Sequence, residues 1–176
     1  MNLVKEKGYS SISIRDLTDR ANLGKATFYL HYKDKDELLY ECIDMVLSDL
    51  VESILKLPPT RWSSNDPRPL AATFEFVDSN AIFIEIMIND PGGLVFFQRL
   101  QKLVMGVVLE TLQVDVNVHN AKPQVPLELL STYLAGALLA VIEWWVGNGK
   151  TQTVTEIVKM VSMITKLNGN EILGVG

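Results

Sequence analysis

The sequence predicts an all-α fold built from one domain or two small ones. Apolar residues recur at three- and four-residue spacing through its longer segments, capping signals open several of them, and no stretch alternates at strand period for any length. At 176 residues, with 48% hydrophobic and 21% charged, the chain has ordinary globular composition. It is long enough to bury a core without disulfide or metal staples. It contains no internal repeat and no low-complexity tract.

The elements follow in order. Gly8-Tyr9-Ser10-Ser11 is a break, and Ser13 with Asp16 three residues on is an N-cap signal for a helix Ile14–Ala21. Asn22-Leu23-Gly24 then forms a turn, because Asn tolerates the left-handed conformation and Gly is acceptable at the next N-cap. A second helix covers 25–32. Asp34 with Glu37 is a capping box for a third, in which Leu38, Leu39, Ile43, Val46, Leu47, Leu50, Val51, Ile54 and Leu55 recur up to Lys56. Residues 57–69 hold Pro58, Pro59, Pro67 and Pro69 and read as a loop. Helices over 70–80 and 81–89 meet at a short kink, and Asp90-Pro91-Gly92-Gly93 stops the second. The pattern over 95–116 is helical, although Val114, Val116 and Val118 alternate and admit a short extended piece. A loop with Pro123 covers 117–126, and helices over 127–146 and 154–166 flank Gly147-Asn148-Gly149.

Several function classes are excluded. Cys42 is the only cysteine, and His31 and His119 are the only histidines, so neither a disulfide nor a Cys/His zinc cluster can form within the chain. A reducing cytoplasm is the expected compartment. Lys5, Glu6 and Lys7 break any secretory signal over the first eleven residues. The apolar run between Glu128 and Glu143 is 14 residues, whereas a membrane span takes about 20, so a soluble protein is expected. Glu75/Asp78 and Asp34/Glu37 are helix-face and capping carboxylates, with nothing beside them to raise a pKa for acid–base work. Gly147-Asn148-Gly149-Lys150-Thr151 ends like a phosphate-binding loop, but Trp144 stands where that loop needs its first glycine. Cys42 has apolar neighbours and reads as a core or half-buried thiol. No catalytic set, metal site or cofactor is expected, and the chain is read as no enzyme.

What remains is the segment 13–35. Two short helices across a three-residue turn match the helix-turn-helix unit. Ile14, Leu17, Ala21, Leu23 and Phe28 form its expected inward set. Lys25, Ala26, Thr27, Tyr29 and His31 form the outward set of the second helix, groups able to meet phosphates and base edges. A plain three-helix fragment would give the same inward set. The net charge of −5 argues against nucleic acid, but residues 1–40 carry seven basic and six acidic side chains and the other 136 carry nine and fifteen.

The stretch from Lys5 to Leu39 resembles the N-terminal signature of the TetR/AcrR-type transcriptional regulators. Gly8-Tyr9, the turn before Leu23, Thr27-Phe28-Tyr29, Tyr32 and Lys35-Asp36-Glu37-Leu38 fall in register together. Phe74-Glu75-Phe76-Val77-Asp78-Ser79-Asn80, Phe97-Gln98-Arg99-Leu100, Leu134-Ala135-Gly136-Ala137, Trp144-Trp145 and Gly147-Asn148-Gly149 are similar to the C-terminal domains of a branch common in Firmicutes. Two departures stand out: Asn22 replaces the turn's usual Gly, and only residues 1–7 stand where the family's first helix begins about a dozen residues earlier.

The resemblance implies a helix-turn-helix DNA-binding domain over 1–36 and a helical ligand-binding and dimerisation domain over 37–176. It implies a repressor on a pseudo-palindromic double-stranded operator, released by a small-molecule effector, and a homodimer through 127–146 and 154–166. Carried over by position, Ser13 caps its helix and donates to phosphate, and Arg15 reaches a base or the backbone. Lys25, Ala26, Thr27, Tyr29 and His31 line the groove, with Lys25 and Ala26 reading bases and His31 beside a phosphate. Lys35 holds phosphate at the start of the long helix. Phe83, Phe97 and Trp144, with Phe74, Phe76, Phe96 and Trp145, are candidate effector-pocket residues, and each is also a candidate for plain core. The alternative function is an interaction protein of the same fold that acts through a partner regulator.

Overall fold

A computed structural model describes residues 2–55, 67–90 and 93–173. Among the described residues there are nine α-helices, one 3-10 turn and no strand, which bears out the all-α expectation. The elements are α1 (Asn2–Lys7), the 3-10 turn (Tyr9–Ser11), α2 (Ile14–Ala21), α3 (Lys25–His31), α4 (Lys35–Leu55), α5 (Arg68–Ser79), α6 (Ala81–Asn89), α7 (Gly93–His119), α8 (Leu127–Gly147) and α9 (Val154–Leu173).

Helix α2 begins as the sequence requires. Ser13 Oγ accepts from the Asp16 amide at 3.2 Å, and the Asp16 carboxylate accepts from the Ser13 amide at 2.9 Å, a complete capping box. It ends on Asn22, whose φ of 54° is left-handed and so takes the place of a glycine. Helix α4 is held from its start by Asp34, which accepts from the Glu37 amide, and by Glu37, which accepts from the Lys33 amide. Leu39, Ile43, Leu47, Leu50 and Ile54 form its buried stripe, each contributing about 1.5–3 kcal/mol relative to exposure.

That stripe enters the main core with Phe74 and Val77 of α5, Ile84 and Met87 of α6, Phe96 and Leu100 of α7, and Ile142 and Trp145 of α8. Helices α7 and α8 make the most extensive helix–helix contact, and α8 also packs on α6. Helix α8 is long and apolar enough to cross a membrane by length and composition; in this fold it runs through the core. Ile157 and Val158 of α9 are buried, Val154 and Val161 pack against the same core, and α9 packs on α5, while Ile164 is exposed.

Several boundaries differ from the expectation. Most of the proline-rich loop at 57–69 lies outside the described residues. At its end α5 starts early, because a proline in a first turn gives up no amide that the helix needs. Pro91 and Gly92 of the expected stop also lie outside them, and Gly93 opens α7. A Cβ on Gly93 would sit 1.6 Å from the Met87 carbonyl oxygen, so only glycine fits this corner. Val114, Val116 and Val118 are helical: α7 runs unbroken to His119, with Val116 packed on the small cluster of Leu112 and Leu130 and the other two exposed. Cys42 is exposed on α4, a correction to the half-buried reading.

Candidate functional site

Helices α2 and α3 form the helix-turn-helix, with the Leu23 amide bonded to the Thr18 carbonyl at 2.9 Å across the turn. Thr18 and Phe28 are buried inside it, and Ile14 and Leu17 are half-buried. Ala21 and Leu23 are exposed, not inward as the sequence suggested. Buried Thr18, whose hydroxyl donates to the Arg15 carbonyl, stands on the inward side of α2 instead.

Phe28 stacks on Tyr32, which fixes the inward side of α3. At 3.6 residues per turn the opposite side is centred on Ala26 and Leu30, flanked by Lys25 and Tyr29 on one edge and Thr27 and His31 on the other. Lys25, Ala26, Tyr29 and His31 are exposed, and Thr27 is half-buried. Leu30 is 81% exposed, the most exposed large hydrophobic residue among the described residues. It was absent from the expected set, although its place four residues after Ala26 would have revealed it. Lys33 was missed too: it is exposed just past α3, with no ion-pair partner among the described residues.

Other basic residues are already engaged. Lys7 pairs with Asp16 at 2.5 Å, Arg20 with Glu6 at 2.9 Å, and Arg15 loosely with Asp19 at 3.4 Å. The Lys7 ammonium and the Ser13 donors hold the Asp16 carboxyl well below the usual carboxylate range. Lys35 departs most from its expected role. Its Nζ donates to the carbonyls of Tyr9 (3.2 Å), Ser10 (3.2 Å) and Ile12 (3.3 Å) and lies over the Tyr9 ring. The Tyr9 hydroxyl donates to Asp36, and burial followed by that carboxylate pushes the phenol far up. The ammonium thus ties the 3-10 turn to α4 and reaches a phosphate only by leaving these carbonyls. Ser10 is also bonded, by amide and hydroxyl, to Asp90 at the end of α6.

The second feature is a cavity of about 230 Å³ among α4, α5, α7, α8 and α9. Ile54, Leu70, Val104, Val108, Leu138 and Val141 are among its walls. None of the aromatic residues expected there lines it. Phe96 stacks edge to face on both Phe83 and Phe97, Phe74 stacks on Trp145, and Phe76 is buried in the same core. Trp144 points outward at 51% exposure. Large rings fill the core, and the void is left where β-branched and leucine side chains meet. Glu85 and Glu143 are exposed and lie outside this cavity. Lys150 pairs with Asp78 at 2.6 Å and has a left-handed backbone, so the Gly147–Thr151 segment is a helix-ending turn. No metal-ligand cluster occurs among the described residues.

Comparison with known proteins agrees with this geometry. Residues 1–42 match the model of the bacterial regulatory proteins of the tetR family, and residues 68–167 match that of a transcriptional regulator C-terminal region. The HTH-type transcriptional regulator YxbF of Bacillus subtilis (strain 168), itself uncharacterized, is 35% identical over 91 residues, 51% of this chain and 24% of that protein. The chain therefore spans about a quarter of that relative's length. A TetR-family regulator from Syntrophomonas wolfei shares the fold at TM-score 0.75 with 19% identity, over 99% of this chain and 91% of that one. A TetR-like regulator from Rhodococcus sp. RHA1 does so at TM-score 0.68 with 20% identity, over 96% and 91%. The chain belongs to the TetR family of bacterial transcriptional regulators, helix-turn-helix DNA-binding proteins and not enzymes.

Proposed function

We propose that this regulator is a cytoplasmic repressor that binds a pseudo-palindromic operator as a homodimer and leaves it when a small molecule occupies the cavity. The observation that carries the DNA half is the outward face of α3. Lys25, Ala26, Tyr29 and Leu30 stand free of the fold while Phe28 and Tyr32 anchor the helix from behind. In this reading Lys25 reads a guanine, Leu30 and Ala26 meet thymine methyl groups, and Ser13, Arg15, Thr27, Tyr29, His31 and Lys33 position the backbone. The reading unit covers 1–36, and 37–176 carry the cavity and the dimer contact.

The dimer is supported by an exposed apolar stripe along α8. Leu129, Tyr133 and Trp144 are more than half exposed, with small Gly136, Ala137 and Ala140 between them, and Met160, Met163 and Ile164 of α9 are exposed as well. Such a stripe suits an isologous four-helix contact. Release is supported by α4, whose Ile54 lines the cavity while Lys35 at its other end holds the 3-10 turn. Its 21 residues span about 32 Å. A ligand that prefers a tilted α4 would move the two reading helices out of spacing.

The test is fluorescence anisotropy on DNA from the gene's own upstream region, titrated from low to physiological salt. A steep salt slope with selectivity over scrambled DNA is expected, with two subunits bound. Tyr133→Arg is expected to give monomers by sedimentation and to lose the operator. Absence of selective binding by a folded dimer would sink the repressor reading and leave the partner-protein role.

A further inference from the structure

We propose that the cavity takes an uncharged aliphatic molecule carrying at most one hydrogen-bonding head group, such as a medium-chain alcohol. This rests on the reading of the chain as an effector-controlled regulator and specifies the chemistry of its effector.

The walls decide the class. Val104, Val107, Val108, Leu134, Leu138 and Val141 present branched aliphatic surface, and no charged side chain lines the cavity among the described residues. The polar lining consists of four hydroxyls. Three of them are already committed as donors: Thr73 to the Pro69 carbonyl at 2.8 Å, Thr111 to Val107 at 2.8 Å and Thr165 to Val161 at 2.9 Å. They can offer a ligand only oxygen lone pairs. Among the described residues Ser162, on α9, has no hydrogen-bond partner, and its hydroxyl is able to donate and accept. A hydroxyl head group is satisfied by such partners. Among the described lining residues a carboxylate would meet no cation and an ammonium no carboxylate, and burying either unpaired is strongly unfavourable. Size fits as well. An apolar cavity of about 150 Å³ accepts benzene, and this one, at about 230 Å³, holds a larger apolar body.

The experiment is isothermal titration calorimetry of the full chain with 1-octanol, octanoate and octyltrimethylammonium at neutral pH, followed by a series from 1-hexanol to 1-nonanol. Octanol is expected to bind at least about tenfold tighter than either ion. Affinity is expected to rise roughly fourfold per methylene until the cavity is full. Val107→Phe, which fills the cavity, is expected to weaken octanol at least tenfold. Should that variant fail to fold, Ser162→Ala serves, with a several-fold loss expected. Tighter binding of an ion, no saturable octanol binding, or octanol affinity indifferent to these substitutions would overturn the proposal. Operator anisotropy separates the two levels. Octanol bound in the cavity with operator affinity unchanged upholds the ligand class and refutes release. Release by a charged compound without octanol binding does the reverse.

Discussion

Lys35→Met distinguishes two roles for one ammonium group. If Lys35 holds the 3-10 turn to α4, its removal takes a donor from the carbonyls of Ser10 and Ile12 and leaves that of Tyr9 with only the Ile12 amide. The three bonds measure 3.2, 3.2 and 3.3 Å, long for charge-assisted ones, and the lysine is half-buried. Each is therefore credited with about 0.5 kcal/mol, the low end for a net hydrogen bond. The stacking over Tyr9 adds about 0.5 kcal/mol. The loss is then about 2 kcal/mol, equivalent to a fall of about 4–8 °C in melting temperature for a chain of this size. The assays are thermal unfolding by circular dichroism and operator anisotropy against salt. The slope of log affinity against log salt is expected to stay unchanged. Lys33→Met serves as the reference, with melting unchanged and the slope smaller by about 0.9 per subunit. An unaltered melting temperature for Lys35→Met, together with a slope reduced like that of Lys33→Met, would falsify the tethering role and restore Lys35 as a phosphate ligand.

Three further outcomes follow from the geometry. Lys25→Ala is expected to weaken the operator by about 1–3 kcal/mol and to relax preference at one position of each half-site, read by competition among single-base variants. Gly93→Ala forces a methyl against the Met87 carbonyl and is expected to destabilise by about 1–3 kcal/mol; a urea midpoint equal to that of the parent chain would refute the close approach. Asp16 and Glu156 each accept from their helix N-cap residue, Ser13 and Thr153, and both carboxyls are held below their ordinary values. In that range the unfolded chain binds more protons, so their contribution is present above about pH 4 and declines as pH falls below it. Asp16→Asn is expected to flatten the fall in urea midpoint between neutral and acid pH, whereas an equally steep fall in the variant would remove Asp16 from the account.

Much of this was legible in the sequence because it rests on local chemistry. Ser13 with Asp16, Asn22, and Asp34 with Glu37 act within a few residues of themselves, and each does what its spacing implied. The stripe of α4 was legible for the same reason. What failed was tertiary. Leu23 stays exposed just past the left-handed turn at Asn22, and the ammonium of Lys35 is claimed by carbonyls 23–26 positions earlier. The aromatic residues were read as pocket because they are large and apolar, the very properties that let rings pack edge to face without leaving a void. The cavity lies instead among valines and leucines that no motif distinguishes from core.

The reading head stands largely outside the main core. Tyr9 and Leu39 belong to the main hydrophobic cluster, while buried Ile12, Thr18 and Phe28 stand outside it. A unit with so little buried surface opens at a lower free energy than the body that carries it. In the free protein the amides of α2 and α3 therefore exchange with solvent well before those of α7 and α8. An operator that binds only the closed head adds its binding energy to that local equilibrium, about 2.7 kcal/mol at a hundred times the dissociation constant. The DNA then acts as a folding ligand for the segment that reads it.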